Sequence, residues 1–128
     1  MIKKQIFEAK RKKYFPDKEF LCKCGCGGGI EKMSEEFLQK LIKAREIANI
    51  PFPPVSYYRC PKHNAAVGST SNNHPRGEAG DIGCTNSINR YKLITALLQA
   101  GFNRIGVHRS FIHCDVNKTQ VPNVIWFY

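Results

Sequence analysis

Two helical stripes kept apart by a long run of helix breakers set the limits on what this chain can fold into. Ser34 is placed to cap the first helix, and Glu35 and Glu36 suit its positive end. Met33, Phe37, Leu38, Leu41, Ile42 and Ala48 form one apolar stripe, and Pro51 stops it. The second helix starts at Asn86 or Ser87, turns Ile88, Tyr91, Ile94, Leu97 and Leu98 inward, and ends at Gly101. Between the two, helical periodicity is missing. The segment PFPPVSYY reads as an irregular entry into a strand over 55–58. Residues 60–78 read as loop, rich in Pro, Gly, Asn and Ser, and 79–83 as a short strand. After Gly101, residues 104–107 and 111–116 alternate as two adjacent strands joined by a tight connection near Arg109. The tail VIWFY is a further strand or a core plug. A small antiparallel sheet packed with two or three helices follows, an α+β fold. Residues 1–13 form a basic arm or short helix, 14–30 a turn-rich loop, and 14–128 a single domain.

Length and composition agree with one modest core. The chain has 128 residues, 42% hydrophobic and 23% charged, close to ordinary globular values. No apolar run approaches the roughly 18–20 residues a membrane helix needs. The N-terminus MIKKQIFEAKRKKYF carries charge but no apolar core of a secretory signal. The net charge is +10, from 20 Lys+Arg against 10 Asp+Glu. Beyond residue 50 the acids are Glu78, Asp81 and Asp115. Excess positive charge fits a solvated basic face or a polyanionic partner: nucleic acid, an anionic membrane or bacterial cell wall. A nucleic-acid role finds little else in the chain, because aromatic residues are not interleaved with the basic run.

The six cysteines are Cys22, Cys24, Cys26, Cys60, Cys84 and Cys114. Without a secretory signal, reduced thiols are expected rather than disulfides. The one-residue spacers of Cys22-Lys-Cys24-Gly-Cys26 depart from the two to four residues usual in structural zinc sites. Plain thiols are therefore expected ahead of a metal site completed by Cys60. Cys84 and Cys114 lie on or beside predicted strands, as small hydrophobes.

Three segments carry candidate chemistry: SYYRCPKHNAAVGS (56–69), NHPRGEAGDIG (73–83) and IGVHRSFIHCDV (105–116). His74, Asp81 and His113 offer two imidazoles and a carboxylate, a donor set suited to Zn²⁺. Three protein ligands leave a fourth position for water. Such a site generates a nucleophile at neutral pH and polarises a carbonyl.

These segments resemble the zinc D-alanyl-D-alanine carboxypeptidase family, which shares its fold with the hedgehog signalling domain. The resemblance rests on Ser-Tyr-Tyr-Arg-Cys-Pro, on His-x-x-Gly-x-Ala-x-Asp-Ile, and on Ile-Gly followed by Ile-His-x-Asp-Val. It covers about residues 15–116, and the upstream Cys-Gly-Cys-Gly is similar to small phage-type members. It implies one zinc per chain, bound by His74, Asp81 and His113. It also implies that Arg59 contacts substrate and stabilises a developing oxyanion, with His108 as a second active-site histidine. Family members often place an acidic base three residues before the last ligand. Here that residue is Ser110, which cannot act as a base near neutral pH.

Asp115, two residues beyond His113, shares its strand face and is expected to act as base or to orient a ligand histidine. Glu78 is expected to point away. The implied function is a zinc peptidase acting on bacterial peptidoglycan stem peptides, as a carboxypeptidase or an endolysin-type endopeptidase. The alternative is a non-catalytic zinc module that binds cell wall or builds a virion. The expected setting is a monomer without nucleic-acid or membrane partners. It would be made in the cytoplasm and act on the wall, as a phage lysis enzyme does.

Overall fold

The computed structural model describes residues 2–128. In order the elements are α1 (Ile2–Tyr14), α2 (Glu35–Ala48), β1 (Pro54–Ser56), α3 (Pro61–Ala66), β2 (Ala79–Gly83), α4 (Ser87–Ala100), β3 (Arg104–Val107), β4 (Phe111–Asp115) and β5 (Val124–Phe127). Single 3₁₀ turns occur at Asp17–Phe20 and Ile30–Lys32. Among the described residues no helix is long and apolar enough to cross a membrane.

Local chemistry accounts for most helix ends. Ser34 Oγ accepts the Phe37 backbone N–H at 3.2 Å, and Asn49 closes α2 in the left-handed region at φ 52°. Asn86 Oδ1 accepts the Asn89 N–H at 2.8 Å, so Asn86 rather than Ser87 caps α4. The inward face of α4 differs from the expected one. Leu93, Ala96, Leu97 and Ala100 are buried, whereas Ile88 and Tyr91 are more than 70% exposed and Leu98 is also exposed. Both stripes follow helical spacing. The buried one carries two alanines, which let α4 approach α2 closely, and the bulkier Ile88 and Tyr91 are left to solvent.

Residues 60–78 also hold more structure than expected. The Cys60 side chain accepts the His63 N–H, and Pro61 takes the first helical position, starting the six-residue helix α3. A helix this short cannot display a periodic stripe. At the N-terminus, α1 is a helix packed on α2, and Phe15 and Phe20 are fully buried against Tyr57. Arg11 is buried beneath them. Its guanidinium donates to the Phe15 carbonyl and pairs with Glu8 and Asp17.

The sheet order is β1-β2-β4-β3-β5. β1–β2, β2–β4 and β4–β3 are antiparallel, but β5 joins β3 in parallel, so the sheet is mixed. The reason is the path of the chain. Residues 116–123 leave the end of β4 and cross the start of β3, which brings β5 alongside β3 in the same direction. VIWFY is therefore an edge strand, with Ile125 and Phe127 exposed. One sheet face carries Ile82, Ile105, Ile112 and Cys114 into the core shared with Phe37, Leu41, Leu93 and Leu97. Alternation along each strand sends the intervening residues to the opposite face.

Candidate metal centre

That opposite face holds the candidate site, and strand register assembles it. Asp81 on β2 pairs directly with His113 on β4, His113 with Gly106 on β3, and Gly106 with Trp126 on β5. The four form one row across the sheet. At Gly106 a Cβ would lie 2.7 Å from the Trp126 ring, so only glycine lets the indole lie over the sheet toward His113, 5.4 Å away centroid to centroid. Ala79 faces Asp115 in the next row.

His74 arrives from the turn before β2. Gly77 holds that turn against the start of α2: its carbonyl accepts the Ser34 N–H at 2.8 Å, and its φ is +69°. A Cβ there would sit 1.9 Å from the Lys32 carbonyl oxygen. Both the conformation and the space require glycine.

The hydrogen bonds fix which atoms face inward. His74 Nδ1 lies 2.6 Å from the Tyr57 carbonyl, which can only accept, so Nδ1 carries the proton. His74 Nε2 is left to face the centre, 3.3 Å from Asp81 Oδ2. His113 Nε2 lies 2.7 Å from Asp115 Oδ2, and His113 Nδ1 lies 2.9 Å from Asp81 Oδ1. The donor atoms of His74, Asp81 and His113 lie within 4.8 Å of one another, all on buried residues. Converging lone pairs repel unless a proton or a cation sits among them. In the metal-free protein a proton on His113 serves this need. Burial opposes charge on His113, but bonds to Asp115 and Asp81 outweigh it and raise its pKa. Burial likewise works against the Asp81 carboxylate, and the bonds from His113 and His74 hold its pKa far below the usual range. A divalent cation fits the same place. The second nitrogen of each imidazole is already tied to an oxygen, the arrangement that orients zinc-binding histidines.

A family description, Peptidase M15, matches residues 13–115. The chain belongs to this family. No curated protein matches it. M15 peptidases are zinc-dependent, and His74, Asp81 and His113 supply a donor set of the right kind.

In this M15 chain a cavity of about 620 Å³ opens over the row. It is walled by Arg59, the 67–71 loop, Asn73, Arg104, Phe111, Gln120, Trp126 and Tyr128, with His74, Asp81 and His113 among its lining residues. Arg59 reaches it with Nε donating to Asn64 Oδ1 at 3.1 Å, and Asn64 is anchored by donating to the Ser71 carbonyl at 2.7 Å. The guanidinium's terminal nitrogens are not used by that bond. Partial desolvation of the Tyr128 hydroxyl, with the nearby Asp81 charge, raises its pKa above the ordinary tyrosine value.

The other expected site residues fall elsewhere. Asp115 is completely buried behind His113, and its oxygens accept from His113, Arg104 Nε (2.8 Å), Asn73 Nδ2 (3.2 Å) and the Asn117 N–H (3.1 Å). It shares the face of His113 but does not line the cavity. Burial raises its pKa, and the His113 bond, the Asn117 N–H and Arg104 bring it below the usual value. His108 is also absent from the cavity wall. Its Nδ1 accepts the Ser110 N–H at 3.1 Å, closing the β3–β4 turn, and its ring stacks on Phe111. Ser110 Oγ turns to His108 rather than to the metal site. Glu78 points away, paired with Arg76 at 2.7 Å. Asp81 is the one carboxylate among the described residues lining the cavity.

Sequence reasoning missed Asn73, Arg104, Trp126, Tyr128 and the Tyr57 carbonyl. A backbone acceptor leaves no trace in residue type, Arg104 and Trp126 depend on strand register, and Asn73 and Tyr128 on how the turn before β2 and the end of β5 pack over the sheet. The one available signal was Arg104, a charge at the start of an otherwise apolar strand.

Proposed function

We propose that the protein is a zinc-dependent peptidase that cuts the stem peptides of bacterial peptidoglycan, as a carboxypeptidase or an endolysin-type endopeptidase. The observation that carries this is the convergence of His74 Nε2, Asp81 and His113 Nδ1 beneath a cavity that Arg59 overlooks. Zinc held there would acidify a bound water and polarise a scissile carbonyl. The chain's own groups supply the remainder. Tyr57 O and Asp115 hold the two imidazoles in the tautomers that present lone pairs to the centre. Arg59, braced by Asn64, offers its terminal N–H groups to a substrate carbonyl oxygen or carboxylate. Trp126 and Phe111 form apolar walls, and the Tyr128 hydroxyl is a protonated group available to a leaving amine. Asp115 acts through His113 as its orienting partner. The net charge of +10 supports attraction to an anionic wall. A monomer that needs neither nucleic acid nor membrane, made in the cytoplasm of a phage-infected cell and released onto the wall, is the setting we favour.

One observation favours a second reading. With Asp81 committed to the metal, no further carboxylate among the described residues lines the cavity to take a proton, as a non-catalytic wall-binding or virion module would allow. Digestion of purified peptidoglycan decides between them. The enzyme releases new amino groups with zinc bound, His113→Ala abolishes the release, and Arg59→Ala reduces it. Mass spectrometry of the fragments identifies the bond. Wall binding with no release from the zinc-loaded protein would overturn the peptidase in favour of the module.

A further inference from the structure

Four of the six cysteines meet at one point away from the cavity. Cys22, Cys24 and Cys26 come from the loop before α2, and Cys60 precedes α3. Their sulfurs lie within 4.8 Å of one another. Cys22 Sγ–Cys24 Sγ is 3.4 Å and Cys24 Sγ–Cys60 Sγ is 3.5 Å. These distances are far beyond the roughly 2.05 Å of a disulfide. They are close to the edge of a tetrahedron of sulfurs around zinc, about 3.8 Å for Zn–S bonds of about 2.3 Å.

Apolar burial does not explain the gathering. Cys22 is buried, but Cys24 and Cys26 are exposed and Cys60 is half-buried. Cysteines collected as small hydrophobes would lie under the surface, as Cys84 and Cys114 do. The loop is instead shaped to converge its sulfurs. Gly25 and Gly27 take φ of +83° and +88°, and the Gly25 N–H returns to the Cys22 carbonyl at 3.2 Å. This bend brings three cysteines with one-residue spacers to a single point. Backbone N–H groups then point at the sulfurs: Cys60 N–H to Cys22 Sγ at 3.3 Å and His63 N–H to Cys60 Sγ at 3.4 Å. N–H groups directed at sulfur favour thiolates.

We propose that Cys22, Cys24, Cys26 and Cys60 form a second metal site, a tetrathiolate site for structural zinc. Soft thiolates in tetrahedral array select zinc among the common divalent cations, and binding releases the thiol protons. The centre would carry two negative charges, in a chain of net charge +10 with Lys23 between Cys22 and Cys24 and Lys62 two residues beyond Cys60. The ion would clip the 22–28 loop to the segment carrying Arg59, next in the chain to Cys60. This site shares no ligand with the His74–Asp81–His113 centre, so either assignment can fail without the other.

The full chain, prepared under reducing conditions with zinc, is weighed by native mass spectrometry. Two zinc ions per chain are expected, falling to one in Cys24→Ser/Cys26→Ser and to one in His74→Ala/His113→Ala. In the wild type, four thiols should resist alkylation until a chelator is added. Co²⁺ added to the zinc-free wild type should give an intense thiolate-to-metal charge-transfer band in the near ultraviolet. A zinc count that the cysteine substitutions leave unchanged would overturn the site. So would alkylation of these thiols without chelator, or a mass two units lower per pair, marking disulfides. The alkylation result is read on the wild type and holds even where the serine variant fails to fold.

Discussion

Replacing Asp115 by asparagine separates two roles that this carboxylate could serve. Asp115 Oδ2 accepts from His113 Nε2 and Asn73, while Oδ1 accepts from Arg104 and the Asn117 N–H. Asparagine has one acceptor oxygen where four donors converge. If that oxygen stays with Arg104 and Asn117, its NH₂ faces His113 Nε2. The imidazole then moves its proton to Nδ1, the atom that would ligate zinc. If the amide turns over, the NH₂ confronts Arg104 Nε, and a buried guanidinium loses its charged partner. Loss of an orienting partner of this kind typically weakens metal affinity about 10–100-fold, or about 1.4–2.7 kcal/mol. Loss of the charge-assisted bonds costs about 1.5–3 kcal/mol of stability. Zinc affinity is measured by competition with a chromophoric chelator, stability by urea unfolding, and turnover by amino-group release with zinc in excess. An orienting Asp115 predicts weaker zinc binding with turnover restored to within about tenfold at saturating metal. A general base predicts the reverse: intact zinc affinity and turnover down about 10²–10⁴-fold at any zinc concentration. That second pattern would refute the role derived from the geometry.

Three further outcomes follow from the packing. Gly77→Ala forces a Cβ to within 1.9 Å of the Lys32 carbonyl oxygen at φ +69°; it should cost at least about 2 kcal/mol in urea unfolding, and a loss under 1 kcal/mol would show that the turn yields freely. Leu93→Ala, on the buried face of α4, should cost about 2–5 kcal/mol, whereas Tyr91→Ser should fall within about 0.5 kcal/mol of wild type, and reversed costs would restore the face expected from sequence. The bond from Arg11 lowers the Asp17 pKa below 3.8, so the stability Asp17 contributes is complete above that pH and is lost as pH falls through its lowered value; Asp17→Asn should flatten this acid limb of the stability–pH curve, and an unchanged limb would remove Asp17 from it.

The legible parts of the sequence were those with a local cause. Ser34 and Gly101 bound helices through their own side chain or its absence, the β2 span emerged as a short stretch beyond a run of breakers, and the β3 span emerged from alternation. The M15 motif located His74 and Asp81 because their spacing is short and the glycine and alanine between them are part of the signal. Failures came where a nonlocal partner decides. Both faces of α4 are apolar enough to be buried, and only the approach of α2 selects the one with Ala96 and Ala100. Nothing within VIWFY says that it will pair in parallel with β3. The four cysteines show a related limit: their spacers argued against a metal, and the bend at Gly25 removes the objection.

The scarcity of acids beyond residue 50 now has a physical meaning. Glu78 is paired with Arg76 at the surface, and Asp81 and Asp115 bracket His113 from its two nitrogens. Asp115 is offset by Arg104, and Asp81 by the metal it would hold. With a divalent ion bound, two carboxylates, two arginines and the ion leave the cavity region at +2. Under the proposed function such a surplus, in a recess partly closed to water, would favour anionic groups there, a substrate carboxylate among them. Part of the work a carboxylate base does elsewhere can thus be done by the field. A further acid at the cavity wall would lower that surplus, so its absence among the described residues is compatible with catalysis, and under the proposed function Arg59 becomes the group on which substrate orientation would most depend.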